Sequence, residues 1–510
     1  MMNPDLVIGI DSSTSATKAI AWDREGRAVA EGRAPIAMSN PAPGYFEQDP
    51  LDWWRSTAQA LKDVTGQVDA ARIAAIGISN QRETFSLFAE DGTALRPGMV
   101  WLDDRARPQS KRFGESFGAE RIHAISGKPL DVIPCIYRMM WVAECEPAIM
   151  ARAARIAEVH AYLAFQLTGD WVTSIASADP TGALDMRQRV WSEEILHAAG
   201  IDVAKMPRLV APGTPMAEVS KAAAAATGLR AGTPVIAGGG DGQCAGAAAG
   251  VGTPGLAYVN LGTAVVSGSY GAEYAYDRAF RTEVAVADQG YIFETCVRSG
   301  TFLVDWLTRE VFVGDPARKR DLIRDLEAEA AASPVGAGGV VLIPYWQGCM
   351  TPHWDSFARG VIAGLSGSTR RGDIYRALLE GIALEQATST NQAEQATGAK
   401  IDRYVAIGGG AASDLWAQIL ADATGRPVSR STTVEASSLG AAMAAAKGCG
   451  WFPTLTASSA AMAGHITRTF EPDAMRSARY AELRAIYADL WPSISAWNTR
   501  MAAFLEKHDG

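Results

Sequence analysis

One acid in this sequence is placed where it could act as a general base: Asp241, within the glycine-rich run 238–243. An apolar stretch at 234–237 precedes the run and small residues follow it, so Asp241 falls where a predicted strand passes into a predicted helix. Glycines leave room for a ligand or another backbone to come close. A carboxylate in such a turn can accept a proton from a bound hydroxyl group, although a plain structural turn is the alternative.

A second acid, Asp11, follows the first predicted strand at 6–10 and precedes hydroxyl side chains at 12–15. Hydroxyl and backbone N–H groups can surround phosphate oxygens, Lys18 can offset their charge, and Asp11 can orient a hydrated Mg²⁺. The spacing G-x-x-x-x-G-K-[ST] is absent, so this is not a Walker loop. An ordinary hydroxyl-rich hairpin is the other interpretation.

A third cluster follows the strand predicted at 73–78, where Arg82 and Glu83 stand side by side. Trp101 and Asp103 come later and add an apolar ring face and a further acceptor. A polyhydroxylated ligand needs that mixture of donors, acceptors and apolar surface. The alternative is a surface salt-bridge network around a core tryptophan.

The second half of the chain restarts with the pattern of the first: a strand at 256–261, then Gly262-Thr263, then a strand at 265–269. This repeat predicts two related domains that face each other across a cleft, with both turns able to grip one polyphosphate. The run 250–255 matches G-x-G-x-x-G, but a helix-like segment precedes it and a strand follows, the reverse of a dinucleotide fingerprint. Farther on, a strand at 404–407 opens into Gly408 to Ser413, where bare backbone leaves space for a flat ring such as adenine.

Length and composition set the frame for these sites. A chain of 510 residues exceeds what one hydrophobic core supports, which predicts two large domains. A net charge of -9 excludes a basic nucleic-acid-binding face, and neither a signal peptide nor an apolar membrane span is evident. The six cysteines are scattered, which favours reduced thiols and a cytoplasmic protein.

A carboxy-terminal helix is predicted at 475–490, with Pro492 expected to kink or stop it.

Together these stretches resemble the FGGY carbohydrate kinases, a branch of the actin and sugar-kinase superfamily. The matching stretches are Gly9-Ile10-Asp11 with Thr14 and Lys18, Glu47-Gln48-Asp49-Pro50 with Trp53-Trp54, Asn80 to Thr84, Trp101 with Asp103 and Arg105, Gly239-Gly240-Asp241, Gly262-Thr263, Gly408 to Ser413, and Leu439 to Ala442. The resemblance implies an α/β fold of two ribonuclease H-like domains, with mixed sheets flanked by helices and with ATP and substrate in the interdomain cleft. We expect these domains at 1–245 and 246–510.

The resemblance also implies a role for each candidate residue, with ATP and Mg²⁺ as cofactors. Asp241 would accept the proton of the attacking hydroxyl, and Asp11 would hold Mg²⁺ through water. The expected ATP-binding residues are Thr14, Ser15, Lys18, Gly262, Thr263, Gly409, Gly410 and Asp414. The expected substrate-binding residues are Arg82, Glu83, Trp101, Asp103, Asp241 and Gln243.

The resemblance divides over the substrate. Asn80 to Thr84 and Trp101 look like glycerol kinase, but Ile133 stands where glycerol kinases carry a substrate-contacting Tyr, and Arg138 stands where they carry Lys. The carboxy-terminal half looks more like the xylulose and ribulose kinases. We therefore expect a pentulose, with glycerol or a tetritol or pentitol as the alternative, phosphorylated at a terminal hydroxyl.

Two remoter classes share the fold: a non-metabolic actin-like ATPase and an inactive sugar-binding regulator. The first has no use for Arg82, Glu83 and Trp101 in the cleft, and the second has no chemical need for both Asp11 and Asp241. The expected partner is thus a small sugar or polyol, with no nucleic acid, no membrane and, as one possible assembly, a homodimer.

Overall fold

The computed structural model describes residues 4–312, 318–355, 357–433 and 435–508. The amino-terminal half has the following strands: β1 (Leu6–Ser12), β2 (Ala16–Trp22), β3 (Ala28–Pro35), β4 (Glu47–Gln48), β5 (Ile73–Asn80), β6 (Phe85–Phe88), β7 (Gly98–Met99), β8 (Arg155–Glu158), β9 (Val172–Ser174), β10 (Leu184–Asp185), β11 (Val190–Trp191), β12 (Arg208–Val210), β13 (Pro215–Glu218) and β14 (Pro234–Gly240). Its helices are α1 (Pro50–Thr65), α2 (Arg107–Phe113), α3 (Ala119–Ser126), α4 (Cys135–Cys145), α5 (Pro147–Arg152), α6 (Val159–Thr168), α7 (Ile175–Ala178), α8 (Glu193–Ala198), α9 (Lys221–Thr227) and α10 (Asp241–Ala248).

The carboxy-terminal half continues with β15 (Gly255–Leu261), β16 (Val265–Gly271), β17 (Arg281–Val284), β18 (Tyr291–Val297), β19 (Val341–Ile343), β20 (Val361–Ala363), β21 (Ile401–Ile407), β22 (Val428–Ser431) and β23 (Ile466–Phe470). Its helices are α11 (Thr301–Trp306), α12 (Lys319–Ala332), α13 (Arg371–Thr397), α14 (Asp414–Thr424), α15 (Ala436–Gly448), α16 (Leu455–Met462) and α17 (Ala474–His508).

Each half is built on one large mixed sheet. The first has the order β13-β14-β5-β1-β2-β3 and the second the order β17-β18-β16-β15-β21-β22-β23. In both, a hairpin (β1–β2 or β15–β16) is antiparallel and its first strand pairs in parallel with a later strand, β5 or β21. The predicted mixed sheets in two α/β domains are confirmed, and the two phosphate-type turns are the turns of the two equivalent hairpins.

Helix α15 carries the second half back onto the first sheet. The Ser438 hydroxyl donates to the Gly9 carbonyl on β1 at 2.8 Å. A Cβ atom on Gly9 would lie 1.8 Å from the Ser438 carbonyl oxygen, so the helix can approach this strand only because position 9 has no side chain. Residues of α15 and of the first sheet share one apolar cluster, and this contact fixes β1, and Asp11 near its end, relative to the second half.

The carboxy-terminal helix differs from the prediction. We expected it at 475–490, with Pro492 kinking or stopping it, whereas α17 continues to His508 with Pro492 inside it, so the helix does not stop there. Proline cannot donate to the carbonyl one turn earlier, but the Ser493 hydroxyl donates to the Asp489 carbonyl at 2.7 Å, and Trp491 packs in the core. Local packing thus offsets the lost hydrogen bond. Among the described residues, no helix has the length and hydropathy that a membrane span requires.

A buried carboxyl group, Glu385 on α13, helps to anchor α17. The hydroxyls of Tyr345 and Tyr487 both donate to its Oε1 at 2.7 Å. Burial raises the pKa of Glu385 to about 7, above the value of about 4.3 for an exposed glutamate.

This raised pKa predicts a pH-dependent stability. Between about pH 4.3 and 7 the folded chain holds a proton that the unfolded chain releases, so the contribution of Glu385 to stability is present at low pH and is lost as pH rises through the folded pKa. We expect the free energy of unfolding of Glu385→Gln, relative to wild type, to rise by on the order of 2 kcal/mol between pH 5 and pH 8. Urea unfolding at both pH values measures this difference; a constant difference would contradict it.

Candidate active site

A cavity of about 270 Å³ lies between the two halves. Its lining combines side chains from the amino-terminal half with others from the second hairpin, from β17–β18 and from the loop after β19. The lining residues are Thr14, Gln81, Arg82, Glu83, Trp101, Ile133, Asp241, Thr263, Ala264, Val266, Arg281, Cys296, Arg298, Gln347 and Met350. Six sequence-predicted site residues are therefore brought together here: Thr14, Arg82, Glu83, Trp101, Asp241 and Thr263.

Asp241 is the first residue of α10, directly after β14, and its side chain is 42 % exposed. Its Oδ1 accepts the Gly242 N–H at 2.7 Å and lies 2.8 Å from Arg82 Nε. Contacts of Asp241 with the rest of the described chain engage this oxygen and the main chain, which leaves Oδ2 available to a ligand.

The glycines beside Asp241 make room for Arg82. A Cβ on Gly240 would lie 2.6 Å from Arg82 Cδ, and a Cβ on Gly242 would lie 2.9 Å from Arg82 Nη2. The glycine-rich run noted in the sequence is therefore the surface over which the Arg82 side chain passes to reach the acid.

Arg82 is buried and is surrounded by carboxylates. Its Nη1 lies 2.9 Å from Glu294 Oε2 and 3.6 Å from Glu283 Oε1, both on strands of the second half. Burial lowers the pKa of Arg82, but Glu294, Asp241 and Glu283 together raise it well above its usual value. Arg82 is thus a fixed positive charge beside Asp241.

Glu83 also reaches across to the second half. Its Oε1 accepts from Arg281 Nη1 at 2.7 Å, and its backbone adopts a φ of 48°, a left-handed conformation that costs free energy in a residue other than glycine. Burial raises the pKa of Glu83, while Arg281 opposes the rise. The strained backbone and the ion pair together hold this carboxyl group at the cavity wall.

Behind this wall, two buried carboxyl groups lie beside one buried lysine. Asp179 and Glu283 lie together, and Lys128 Nζ is 3.3 Å from Glu283 Oε2 and 3.6 Å from Asp179 Oδ2. Burial and the charge of Glu283 raise the pKa of Asp179 well above its usual value, whereas Lys128 and Arg281 outweigh burial and lower that of Glu283 to about 2.

Two predicted substrate ligands, Gln243 and Asp103, lie behind the wall and do not line the cavity. Gln243 is buried, and its Nε2 donates to the Ala176 carbonyl at 2.9 Å and to Glu283 Oε2 at 3.2 Å. Asp103 is buried and binds the Arg105 guanidinium and the Phe46 N–H.

Trp101 joins the predicted sugar site to the first phosphate turn. Its indole Nε1–H donates to Thr14 Oγ1 at 3.0 Å, and its backbone N–H donates to Thr84 Oγ1 at 3.2 Å. Gln48 also donates to the Thr14 carbonyl at 2.6 Å. The turn and the ring that would face a sugar therefore form one hydrogen-bonded unit.

Arg138, which the sequence comparison singled out as a departure from glycerol kinases, holds three wall segments together. It is fully buried, and its Nη2 donates to the carbonyls of Glu83 at 2.7 Å and Ile133 at 2.5 Å, while its Nη1 donates to the Val100 carbonyl. A lysine has one ammonium centre and could not span these acceptors in the same fork geometry.

Asp11 fits a hydrated cation. Its Oδ1 is buried and accepts no hydrogen bond from any residue in the described ranges. Burial, with the nearby charge of Asp241, raises the pKa of Asp11 to about 7, although Lys18 opposes the rise. No group of three or more metal-ligating side chains occurs in the described ranges. Mg²⁺ is commonly held by one or two carboxylates together with water and phosphate oxygens, and an orphaned carboxylate oxygen suits that mode.

The other residues that the sequence predicts to bind phosphate lie at or near the two hairpin turns. Lys18 forms an ion pair with Glu435, which precedes α15 in the second half. Ser15 is exposed at the first turn, and Gly262 and Thr263 form the second, where the Thr263 carbonyl accepts from Gly300 N at 2.8 Å. Thr14 and Thr263 both line the cavity, so the turns face each other across it.

The predicted adenosine turn follows β21. Gly409 is exposed, and a Cβ placed on it would meet nothing within 4 Å, whereas Gly410 is buried against Trp416. Asp414 begins α14, and Arg430 Nη2 donates to its Oδ1 at 2.6 Å, which lowers the pKa of Asp414. The bare backbone at Gly409 and this charged pair form the rim of an open surface.

Sequence reasoning missed the contribution of β17 and β18. Arg281, Glu294, Cys296 and Arg298 all come from this region, and three of them line the cavity. Arg298 is half-buried, and no ion pair to it is formed by any other described residue. The available signal was the pair of charged residues, Glu294 and Arg298, in the otherwise uncharged stretch 291–298, and nothing local to the chain shows what they contact.

Known proteins resemble this chain along nearly its full length. The model for the FGGY family of carbohydrate kinases, N-terminal domain, matches residues 6–248, and that for the C-terminal domain matches residues 257–449. The xylulose kinase of Bacillus subtilis is 31 % identical over 505 residues, covering 98 % of this chain and 99 % of that protein. The glycerol kinase of Symbiobacterium thermophilum is 30 % identical over 469 residues, covering 88 % and 91 %. The crystal structure of xylulose kinase from Rhodospirillum rubrum superposes with a TM-score of 0.89 at 26 % identity, covering 97 % of this chain and all of that one.

Proposed function

We propose, from the premise that this chain belongs to the FGGY family of carbohydrate kinases, that it transfers the γ-phosphate of MgATP to a terminal hydroxyl of a pentulose such as xylulose or ribulose. That the chain is a sugar kinase follows from its family; the acceptor and the residue roles are our proposal. The observation that carries them is the cavity itself, which brings Asp241 together with both phosphate turns.

In the proposed reaction Asp241 is the general base. The acceptor hydroxyl approaches Oδ2 of Asp241, whose Oδ1 is fixed by Gly242 N–H and Arg82. As the hydroxyl oxygen forms its bond to the γ-phosphorus and the bond to the β-phosphate oxygen breaks, the hydroxyl proton passes to the Asp241 carboxylate. ADP leaves with the electron pair of the broken bond.

The two turns and Asp11 would position ATP. Thr14, Ser15 and Lys18 on one side, and Gly262 and Thr263 on the other, would hold the phosphates in line with the acceptor. Asp11 would hold Mg²⁺ through water, and the ion would neutralise charge on the phosphate oxygens. Lys18 would exchange its ion pair with Glu435 for a phosphate oxygen. Gly409, Gly410 and Asp414 would line the adenosine site.

The sugar would lie between Arg82, Glu83 and the Trp101 ring, with its far end toward Ile133 and Arg298. Ile133 lines the cavity at the position where glycerol kinases carry a tyrosine, so the hydroxyl that would bind a small triol is missing. Arg298 offers donors that no other described residue engages, and these suit an acceptor such as a ketone oxygen. These two residues favour a ketose over glycerol.

A panel of acceptors tests the substrate. With MgATP we expect ADP release to be fastest, in kcat/KM, for one of D- or L-xylulose and D- or L-ribulose. Glycerol, erythritol and the pentitols should be at least about 10-fold slower, a factor typical of one missing contact. Ile133→Tyr should shift the ratio toward glycerol.

Two other results of this panel would each favour a different function. A polyol at the top of the panel would replace the pentulose by the alternative, a polyol kinase. If no acceptor in the panel increases ADP release, the non-metabolic ATPase or the inactive regulator would be favoured. As part of the same proposal we place the enzyme in the cytoplasm, a reducing compartment that suits its free cysteines.

A further inference from the structure

We propose that Glu294 is a positioning residue for Asp241: from the opposite half of the molecule it holds the Arg82 guanidinium so that Arg82 Nε fixes the base. This inference rests on the proposed role of Asp241 and does not depend on which sugar is the acceptor. It assigns a catalytic consequence to an acid that does not line the cavity.

The chain of contacts is continuous. Glu294 Oε2 accepts from Arg82 Nη1 at 2.9 Å, and Arg82 Nε lies 2.8 Å from Asp241 Oδ1. A guanidinium is planar and rigid, so fixing Nη1 also fixes the place of Nε, which forms the ion pair with Asp241 Oδ1. The orientation of the Asp241 carboxylate, and with it the place of Oδ2, therefore depends on Glu294.

Glu294 is itself held firmly. Its Oε1 accepts from Arg281 Nε at 2.7 Å and lies 2.6 Å from Arg281 Nη2, and the Tyr258 hydroxyl donates to its Oε2 at 3.2 Å. Its side chain is 1 % exposed, and Arg281 and Arg82 outweigh burial and lower the pKa of Glu294. Glu294 is thus a fixed anion on β18, the strand next to the edge strand β17 of the second sheet.

Glu283 does not duplicate this function. Its closest approach to Arg82 is 3.6 Å, beyond a hydrogen bond, and its Oε2 is engaged by Gln243 and Lys128. Glu294 also touches the base turn directly: a Cβ on Gly242 would lie 2.7 Å from Glu294 Oε2. Of the two acids, Glu294 is the one whose geometry sets the Arg82 side chain.

The test is Glu294→Gln, which keeps the shape of the side chain and removes its charge. We expect kcat to fall about 10- to 100-fold, the loss expected of a misplaced catalytic group, while the KM for ATP stays within about twofold. The rate is measured as ADP release with the acceptor and also as slow hydrolysis of ATP without sugar, so an unidentified acceptor does not prevent the comparison.

The matched control is Glu380→Gln. Glu380 is equally buried and accepts from an arginine Nε, that of Arg376 at 2.7 Å, and from a tyrosine hydroxyl, that of Tyr480 at 2.8 Å, but it lies on α13 away from the cavity. The same chemical change there should lower the thermal midpoint without lowering kcat. Equal losses of kcat in both variants would overturn a specific role for Glu294.

A double-mutant cycle separates positioning from general damage. In the Asp241→Asn background, Glu294→Gln should change the residual rate by less than about twofold, since there is no base left to position. The same fold loss in both backgrounds, or an unchanged kcat in Glu294→Gln alone, would overturn the inference. Full activity of Asp241→Asn would instead remove the base assignment of the proposed function.

Discussion

Asp241→Asn should lower kcat for phosphoryl transfer about 100- to 10,000-fold, the contribution typical of a general base. Asparagine matches the shape of aspartate, and its carbonyl oxygen can still accept from Gly242 N–H and lie beside Arg82 Nε. What it lacks is the second basic oxygen that takes the proton. Folding and ATP binding should therefore persist.

The measurement is ADP release with a saturating acceptor, together with thermal unfolding and an ATP titration. Asp170→Asn, the same change at an exposed acid outside the cavity, is the control and should match wild type. Undiminished turnover of Asp241→Asn would show that another group accepts the proton.

Arg82→Ala is the second large effect, and it should appear in both stability and activity. Removing this buried cation leaves Glu294 without one of its two arginines, and breaking a buried pair costs about 3–5 kcal/mol. Because Arg82 lines the cavity beside Asp241, the KM for the sugar should rise far more than the KM for ATP. Urea unfolding and steady-state kinetics measure the two effects separately.

Arg82→Lys distinguishes charge from geometry. Lysine keeps a positive charge near Glu294, so part of the stability should return, but it cannot contact Glu294 and Asp241 through two separate nitrogens of one planar group. The sugar KM should stay high. If Arg82→Ala raises both KM values equally, Arg82 does not belong to the sugar site.

The sequence alone predicted those site features in which the reactive residue and its turn lie in one short stretch of the chain. Asp11 and Asp241 stand at strand ends with glycines or hydroxyls beside them, and that local pattern predicts both the hairpin turn and the strand-to-helix turn that the structure shows. The two similar halves followed from the repeated strand–turn–strand pattern, and the mixed sheets followed from the family resemblance. In each of these places a few consecutive residues contain the whole signal.

The sequence was insufficient where partners are far apart along the chain. Glu294 contacts Arg82 across 212 positions, and Arg281 contacts Glu83 across 198, so no local pattern marks them. Asp103 and Gln243 have residue types suited to a sugar site, yet their side chains point into buried networks. A polar residue near a site can bind the ligand or support the wall, and only the fold decides which.

The buried arginine clamp has a consequence for how this enzyme could change. Arg138 fixes the wall through the main-chain carbonyls of Glu83, Val100 and Ile133. Any amino acid at these three positions supplies the same carbonyl group. A change of the Ile133 side chain therefore leaves the carbonyl group that Arg138 binds in place. Evolution, or a designer, could retune acceptor preference at Ile133, Val266 and Arg298 while the scaffold beneath stays constant.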